Sequence, residues 1–257
     1  MSEHPLWQPA SEQVAITNMT RFAREASLRW DRNFEDYAEL HRWSVEAPEE
    51  FWLNIWDWTG VIGTGDTDPV VVDREQMPGA RWFPNTRLNF AQNLLRRQDT
   101  ALALIFQAED KVTRSLSFAE LYAQVARLAD GLKQAGVVPG DRVCGFMPNM
   151  PETVAAMLAS ASVGAVWSSC SPDFGVQGVL DRFGQISPKV LFSADGYWYN
   201  GKTHDSLEKL REITNGLPSL GHTVVVPLIS DKPDLSSNPD ARLITDFETD
   251  ATQIDFE

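Results

Sequence analysis

Short apolar runs alternate with amphipathic segments between residues 141 and 227, and this alternation limits the possible folds most strongly. The apolar runs are DRVCGFM, AVWSSC, KVLFSA and HTVVVP. Between them lie the helix-spaced segments PETVAAMLASASVG, VQGVLDRFGQI and THDSLEKLREITNGL. Strands and helices that alternate over short links are typical of parallel βαβ units. We therefore predict an α/β fold with an open, largely parallel sheet.

The segment before this alternation predicts a β-hairpin followed by a long helix. ALALIF, at 101–106, is a buried-strand pattern, and KVTRSLSF returns after a turn. Ser117 and Glu120 have the spacing of a capping box. The helix after them has its inward face predicted at Leu121, Val125, Leu128 and Leu132, and Gly136 is expected to end it.

Tryptophan is concentrated in the first third of the chain, at Trp30, Trp43, Trp52, Trp56, Trp58 and Trp82. Pro48 and two glutamates suit the first turn of a helix, in which Phe51, Trp52, Ile55 and Trp56 share one face. Such a stripe forms a core face far more often than a ligand cage. Gly60, Gly63 and Gly65 lack the spacing of a phosphate loop, and Arg87 to Leu95 is predicted to be a short amphipathic helix.

The composition divides the chain into an aromatic-rich helical cap, residues 1–84, and the α/β part, residues 85–257. The final stretch, from Ser230 onward, is polar and turn-rich, so we expect an extended or linking segment that does not close a domain.

Charge and composition exclude several classes of partner. A formal net charge of −14 repels nucleic acid and anionic membranes, so we expect neither as a partner. The apolar runs are too short to span a bilayer, and MSEHPLWQPA lacks the features of a signal peptide. Two cysteines do not make a disulfide framework. We expect a cytoplasmic protein.

The motif SSCSPDFG follows a predicted strand, at the edge where open α/β sheets bind ligands. Ser169, Cys170, Ser171 and Asp173 are therefore candidate pocket-lining residues. A nucleophile among Ser168 to Ser171 is an alternative, but none of the four histidines shares a motif with them and G-x-S-x-G is absent. Plain local capping by small polar residues remains a third possibility.

A second candidate segment, SADGYWYNGK, follows the next strand. Asp195 and Gly196 are predicted to form a turn, and Tyr199 and Lys202 lie beyond it. A lysine at this edge can pair with a phosphate, although a lone lysine is more often simply solvated. The sequence contains no metal-ligand spacing and no Walker A motif.

Three stretches resemble the AMP-forming acyl-CoA synthetase family, and most closely its acetoacetate–CoA ligase branch. They are WSVEAPEEFWLNIWDW, PGARWFPNTRLNFAQNLL, and the segment from GDRVCGFMPNM through WSSCSPDFG to DGYWYNGK. The resemblance implies a two-step reaction in which ATP and acetoacetate give an acyl-adenylate and diphosphate, and CoA then takes the acyl group and releases AMP. It implies Mg²⁺ and small-molecule substrates as partners, and no nucleophilic serine or cysteine.

The family's phosphate loop, a Ser/Thr-Gly-Thr-Thr-Gly-x-Pro-Lys run, does not occur in these residues. The resemblance therefore implies that residues 1–84 are the N-terminal cap and residues 85–257 the first part of the adenylation domain, an incomplete sheet truncated before that loop. Such a chain would hold no catalytic residues and be inactive alone. The alternative is a non-catalytic CoA-binding or dimerising module. A nucleotide-dependent oxidoreductase is disfavoured because no G-x-G-x-x-G follows a predicted strand.

The resemblance also implies a role for the GYWYNGK segment. In related synthetases, two basic residues here hold the 3′-phosphate of CoA. Lys202 matches the second of them in charge, whereas Tyr199 stands in the place of the first and departs from the pattern.

Overall fold

A computed structural model describes residues 5–257 of the chain. It divides into two compact units, Met1–Leu88 and Asn89–Glu257. Within the described residues, no helix is long and apolar enough to cross a membrane.

The first unit is mainly helical. Its helices are α1 (Ser11–Ala15), α2 (Asn18–Trp30), α3 (Tyr37–Glu46) and α4 (Pro48–Thr59). Local capping sets their ends: the Thr17 hydroxyl accepts the N–H of Thr20 before α2, and the Asp36 carboxylate accepts that of Glu39 before α3. Helix α4 begins at Pro48, as predicted, and Gly60 follows it in the left-handed region at φ 64°.

The aromatic side chains of α4 pack in two different places. Phe51 and Ile55 pack into a small core built on Phe22, Ala26, Leu40 and Trp43. Trp52 instead packs against Trp82 at a centroid distance of 5.9 Å and stays 43% exposed, while Trp56 packs against Phe83 at 4.7 Å. The prediction of one core face was therefore right for Phe51 and Ile55 and wrong for Trp52.

The rest of the first unit is irregular chain with two short antiparallel ladders. In these, β1 (Thr64–Gly65) pairs with β4 (Thr86–Arg87), and β2 (Val71–Val72) pairs with β3 (Arg81–Trp82). The helix predicted from Arg87 to Leu95 is shorter than expected, because Arg87 lies in β4 and α5 spans Phe90–Leu94.

The second unit contains the remaining elements, from the hairpin to the last short helix. They are β5 (Leu102–Ala108), β6 (Val112–Ser117), α6 (Phe118–Gln134), β7 (Arg142–Phe146), α7 (Pro151–Ser162), β8 (Val166–Cys170), α8 (Val176–Phe183), β9 (Val190–Ala194), β10 (Gly196–Tyr199), β11 (Lys202–Asp205), α9 (Leu207–Asn215), β12 (His222–Val226), β13 (Ala241–Leu243) and α10 (Ile244–Phe247).

A five-stranded sheet in the order β13-β12-β9-β7-β8 forms the centre of this unit, and its strand pairs are all parallel. Residues of α6 and α7 belong to the hydrophobic cluster on one face, and residues of α8 and α9 belong to a second cluster on the other. The predicted α/β fold is thus confirmed. Among the described strands, β8 pairs with β7 alone and lies at the edge of the sheet, where Val166 is exposed.

The long helix α6 follows its local sequence signals. The Ser117 hydroxyl accepts the N–H of Glu120 at 3.2 Å, and the Glu120 carboxylate accepts the N–H of Ser117 at 2.8 Å, which completes the capping box. The predicted inward residues, Leu121, Val125, Leu128 and Leu132, are all buried. Gly136 follows the helix at φ 74°, so its predicted end is confirmed.

The prediction for the final stretch was wrong. Residues Ala241–Leu243 add the fifth strand of the sheet, parallel to β12. Ile244 and Phe247 are buried, and the ring of Phe247 meets that of Phe192 edge-on at 5.6 Å. An ion pair of 2.9 Å joins Arg127 on α6 to Glu248. Pairing and packing with distant residues therefore order a segment whose own composition is polar.

Residues 195–205 also differ from the prediction. Asp195 and Gly196 do not form a turn, because Gly196 begins β10. Strands β10 and β11 form a hairpin whose turn is Asn200–Gly201, and α9 begins only at Leu207 instead of Thr203. Both turn residues have positive φ, 52° and 72°, which a two-residue type I′ turn requires and Asn-Gly supplies.

Candidate functional site

The loop after β8 and the hairpin after β9 both leave the carboxyl ends of parallel strands. Ligands of open α/β sheets bind at this edge, where strand ends leave room between successive loops. The loop spans residues 171–175, the hairpin residues 196–205. Ser171, Asp173, Tyr199 and Lys202 lie in these segments, whereas Ser169 and Cys170 are the last two residues of β8.

Asp195 anchors the base of the hairpin. Its carboxylate is 1% exposed and accepts three backbone N–H groups from the segment after β12, those of Leu228 at 2.7 Å, Ile229 at 3.0 Å and Ser230 at 3.0 Å. The Ser206 N–H also donates to the Asp195 carbonyl at 3.0 Å. These bonds satisfy a buried charge and fix two carboxyl-edge segments to each other. The sequence analysis missed this role, although an aspartate directly after a largely apolar strand is a usable signal.

One face of the hairpin carries two tyrosines, a histidine and a lysine, and the other face carries Trp198 and Thr203. Cross-strand partners are Tyr197 with His204, and Tyr199 with Lys202. Because side chains alternate along a strand, these four residues share a face of the ribbon. The rings of Tyr197 and His204 are stacked at 4.9 Å, whereas Tyr199 is 70% exposed and Lys202 is exposed at the tip.

The loop after β8 is held from α8 and α9. The Lys209 ammonium donates to the backbone oxygens of Pro172 at 3.3 Å and Phe174 at 3.5 Å. The Arg182 guanidinium lies 4.4 Å from the ring centroid of Phe174. Two cations therefore fix the shape of this loop.

The candidate loop residues differ in accessibility. Ser169, Ser171 and Asp173 are exposed, whereas Cys170 is buried at 4% exposure. Burial raises the pKa of the Tyr197 hydroxyl, and the negative charge of Asp173 raises it further. No contact described for residues 5–257 joins Lys202 to Ser169, Cys170 or Ser171.

Cys170 is not placed as an activated nucleophile. Burial raises the pKa of its thiol, and the positive charge of Arg182 opposes this only in part. Cys144 lies in the same apolar cluster, and burial raises the pKa of its thiol as well. Among the described histidines, none bonds to Cys170; His4 lies outside the described residues.

Clusters of side chains that could bind a metal ion are absent from the described part of the chain. Within residues 5–257, no group of three or more histidine, cysteine, aspartate or glutamate side chains could hold a metal ion.

Comparisons with known proteins place this geometry in a family. A family model described as AMP-binding enzyme matches residues 90–251, and one described as acetyl-coenzyme A synthetase N-terminus matches residues 37–94. The acetoacetyl-coenzyme A synthetase of Rhizobium meliloti (strain 1021) is 49% identical over 91% of this chain and 36% of its own length. The acetoacetyl-CoA synthetase of Macaca fascicularis is 40% identical over 98% of the chain and 39% of its own length.

A solved structure shows the same fold at similar coverage. Acetoacetyl-CoA synthetase from Streptomyces lividans superposes with a TM-score of 0.90 at 40% sequence identity, over 99% of this chain and 39% of that one. The chain therefore spans somewhat over a third of the length of these relatives. The match to the AMP-binding model covers most of the chain and contains the whole five-stranded sheet, and on this basis the chain belongs to the AMP-binding enzyme family.

Proposed function

We propose that the chain is the N-terminal part of an acetoacetate–CoA ligase. The complete enzyme would join acetoacetate to ATP as an acyl-adenylate with release of diphosphate, and then transfer the acyl group to CoA with release of AMP. The observation that carries this proposal is the identity of 40–49% to proteins named as acetoacetyl-CoA synthetases over nearly the whole chain. Its substrates are small molecules, and its proposed location is the cytoplasm.

We assign residues 1–84 to the N-terminal cap and residues 85–257 to the first part of the adenylation domain. The two family models support this division, since the first ends at residue 94 and the second begins at residue 90. The separation of the compact units after Leu88 supports it too.

The hairpin fits the phosphate of CoA. Lys202 provides an exposed cation, and no ion pair is described for it within residues 5–257. The exposed ring of Tyr199 lies opposite it across the tip and offers a flat apolar surface next to the charge. We propose that Lys202 pairs with the 3′-phosphate of CoA and that Tyr199 lies beside it.

We propose that the end of β8 and the loop after it line the neighbouring side of this site. Ser169, Ser171 and Asp173 are exposed and available to a ligand. Cys170 is buried in the second apolar cluster, beneath the exposed residues of this segment. ATP and Mg²⁺ act in the complete enzyme, but no described group of this chain fits the metal, and we derive no step through either of them.

Titration calorimetry of the chain with CoA and with 3′-dephospho-CoA tests the phosphate assignment. Because one charge-assisted contact is lost, Lys202→Ala should bind CoA about tenfold more weakly and bind both ligands equally. Lys133→Ala is the control, since Lys133 lies in the last turn of α6 at the opposite edge of the sheet. Equal affinity of the unsubstituted chain for both ligands, or no effect of Lys202→Ala, would overturn the assignment.

A non-catalytic dimerising module is the second candidate, and the edge strand β8 favours it. A strand with one free edge and an exposed apolar side chain is a template for pairing with another chain, and Val166 is 53% exposed. Size-exclusion chromatography over a range of concentrations should then show a dimer that Val166→Lys abolishes. Val138→Lys, at an equally exposed loop position, is the control. A monomer at every concentration would rule this candidate out.

A further inference from the structure

The tip of the β10–β11 hairpin needs support that the hairpin itself does not supply. A two-stranded hairpin alone is only marginally stable in water. Asp195 and Ser206 hold its base, and the stacked rings of Tyr197 and His204 hold its middle. Tyr199 and Lys202 lie beyond both anchors, at the turn.

A carboxylate from another hairpin reaches this turn. The N–H of Gly201 donates to Glu109, at 3.0 Å to Oε2 and 3.4 Å to Oε1. Glu109 lies in the turn between β5 and β6, at φ 48°, and that hairpin packs Leu104 and Phe106 against the main core. Among residues 5–257, the hydrogen bonds described from elsewhere in the chain to the tip come from Glu109. A well-anchored hairpin therefore braces a weakly anchored one.

We propose that Glu109 is a positioning residue for the phosphate-binding turn, an inference that rests on the proposed CoA site. Its carboxylate fixes the Asn200–Gly201 turn and with it the direction in which Lys202 leaves the backbone. The same carboxylate carries a negative charge close to the place proposed for a phosphate. Positioning and charge thus act on anion affinity with opposite signs, and we expect positioning to have the larger effect.

Three substitutions separate the two effects. Glu109→Ala removes both the hydrogen bond and the charge, whereas Glu109→Gln removes the charge but keeps an oxygen acceptor for Gly201. Asp110→Asn is the matched control, because Asp110 is the next residue in the same turn and its substitution removes the same charge. Its carboxylate pairs with Lys111 at 3.0 Å, and no bond from it to the β10–β11 hairpin is described within residues 5–257. If charge alone mattered, all three would bind an anion more tightly.

The test is a titration of the full chain with adenosine 3′,5′-bisphosphate. We expect Glu109→Ala to bind about fivefold more weakly, because the loss of the fixed turn outweighs the removal of one negative charge. Glu109→Gln and Asp110→Asn should bind at least as tightly as the unsubstituted chain. Tighter binding by Glu109→Ala, at the level of Asp110→Asn, would overturn the proposal.

Solvent exchange of the Gly201 amide, measured by NMR, keeps the two proposals separate. If no form of the chain binds the bisphosphate, the CoA assignment fails, but exchange still reports on the turn. The positioning role is supported if the Gly201 amide exchanges faster in Glu109→Ala but at the rate of the unsubstituted chain in Glu109→Gln. Unchanged exchange in Glu109→Ala overturns that role whatever the ligand result.

Discussion

The indole of Trp167 lies across Gly145 on the neighbouring strand, so closely that a β-carbon built on Gly145 would be 2.7 Å from two of its ring carbons. The two residues are on β8 and β7, and Trp167 also contacts Phe192 at a centroid distance of 6.3 Å. A glycine in the middle of a strand normally weakens it, and here the indole fills the space that a side chain would take.

Replacement of Gly145 by alanine should therefore destabilise the fold. The added methyl group forces Trp167 out of its place, and overpacking of this kind costs about 1–3 kcal/mol. Urea denaturation measures the effect. Gly178→Ala is the control, because Gly178 is helical and its nearest neighbour is 3.6 Å away, so alanine should stabilise the chain by up to about 1 kcal/mol. Equal effects of both substitutions would contradict this account.

Asp195→Asn should be strongly destabilising although it changes little in size. The carboxylate accepts three N–H groups while buried, and an amide turns one acceptor into a donor that faces another donor. Loss of charged hydrogen bonds in a buried place costs about 2–4 kcal/mol in urea unfolding. Asp231→Asn, in the exposed segment after β12, should stay within about 0.5 kcal/mol. A loss below that limit for Asp195→Asn would contradict the anchoring role.

His222 should make the fold less stable in mild acid. Burial lowers the pKa of its imidazole, the charge of Arg242 lowers it further and that of Lys189 adds to this, while a hydrogen bond to Ala135 opposes them. The ring Nδ1 accepts from Arg242 at 3.2 Å, which requires the neutral form. Because the unfolded chain binds the proton more readily, stability is complete above pH 6.5 and falls as the pH drops through that value.

Urea midpoints at several pH values between about 5 and 8 check the role of His222. His222→Asn, which cannot titrate, should show a weaker loss of stability between pH 7 and pH 5 than the unsubstituted chain. His41→Asn is the control, since His41 lies in the first unit, on α3. Parallel pH profiles for the unsubstituted chain and His222→Asn would contradict the assignment.

Cys170 should react slowly with thiol reagents in the folded chain. Its burial raises the thiol pKa and blocks access, so alkylation by iodoacetamide should accelerate at least about tenfold when urea unfolds the chain. A Cys144→Ala background isolates the signal of Cys170 in mass spectrometry. Rapid alkylation in native buffer would show an accessible thiolate and return the nucleophile hypothesis to consideration.

Elements with strong local signals could be predicted from the sequence. Helix α6 has its capping box, its inward leucines and valine, and its terminal Gly136, and each of these acts within a few residues. Strands β7, β9 and β12 are largely buried on both faces, and most of their residues are apolar. For such elements, sequence and structure agree because the determining interactions are close in the chain or depend on apolarity alone.

Elements that depend on distant partners could not be predicted. Strand β13 has three residues in a polar stretch and exists because β12 pairs with it. The Asn200–Gly201 turn has a strong hairpin signal, but Asp195–Gly196 offered a competing one. The Asp195 carboxylate accepts N–H groups of residues 228–230, and these distant bonds decide between the two turns. Within the candidate site, Lys202 was named from its position, whereas Glu109 is 92 residues from Gly201 in the chain and had no signal.

The hydrogen bond at the base of the β10–β11 hairpin separates the ribbon from the elements that flank it. The chain leaves β9 at Asp195 and enters α9 after Ser206, and a hydrogen bond of 3.0 Å joins these two residues. Because the two ends of the ribbon meet, the connection from β9 to α9 does not depend on the residues between them. Loops on a rigid scaffold have the same property. We therefore expect changes within residues 197–204 to leave β9, α9 and β12 in place, because the bonds of Asp195 and Ser206 lie outside the ribbon.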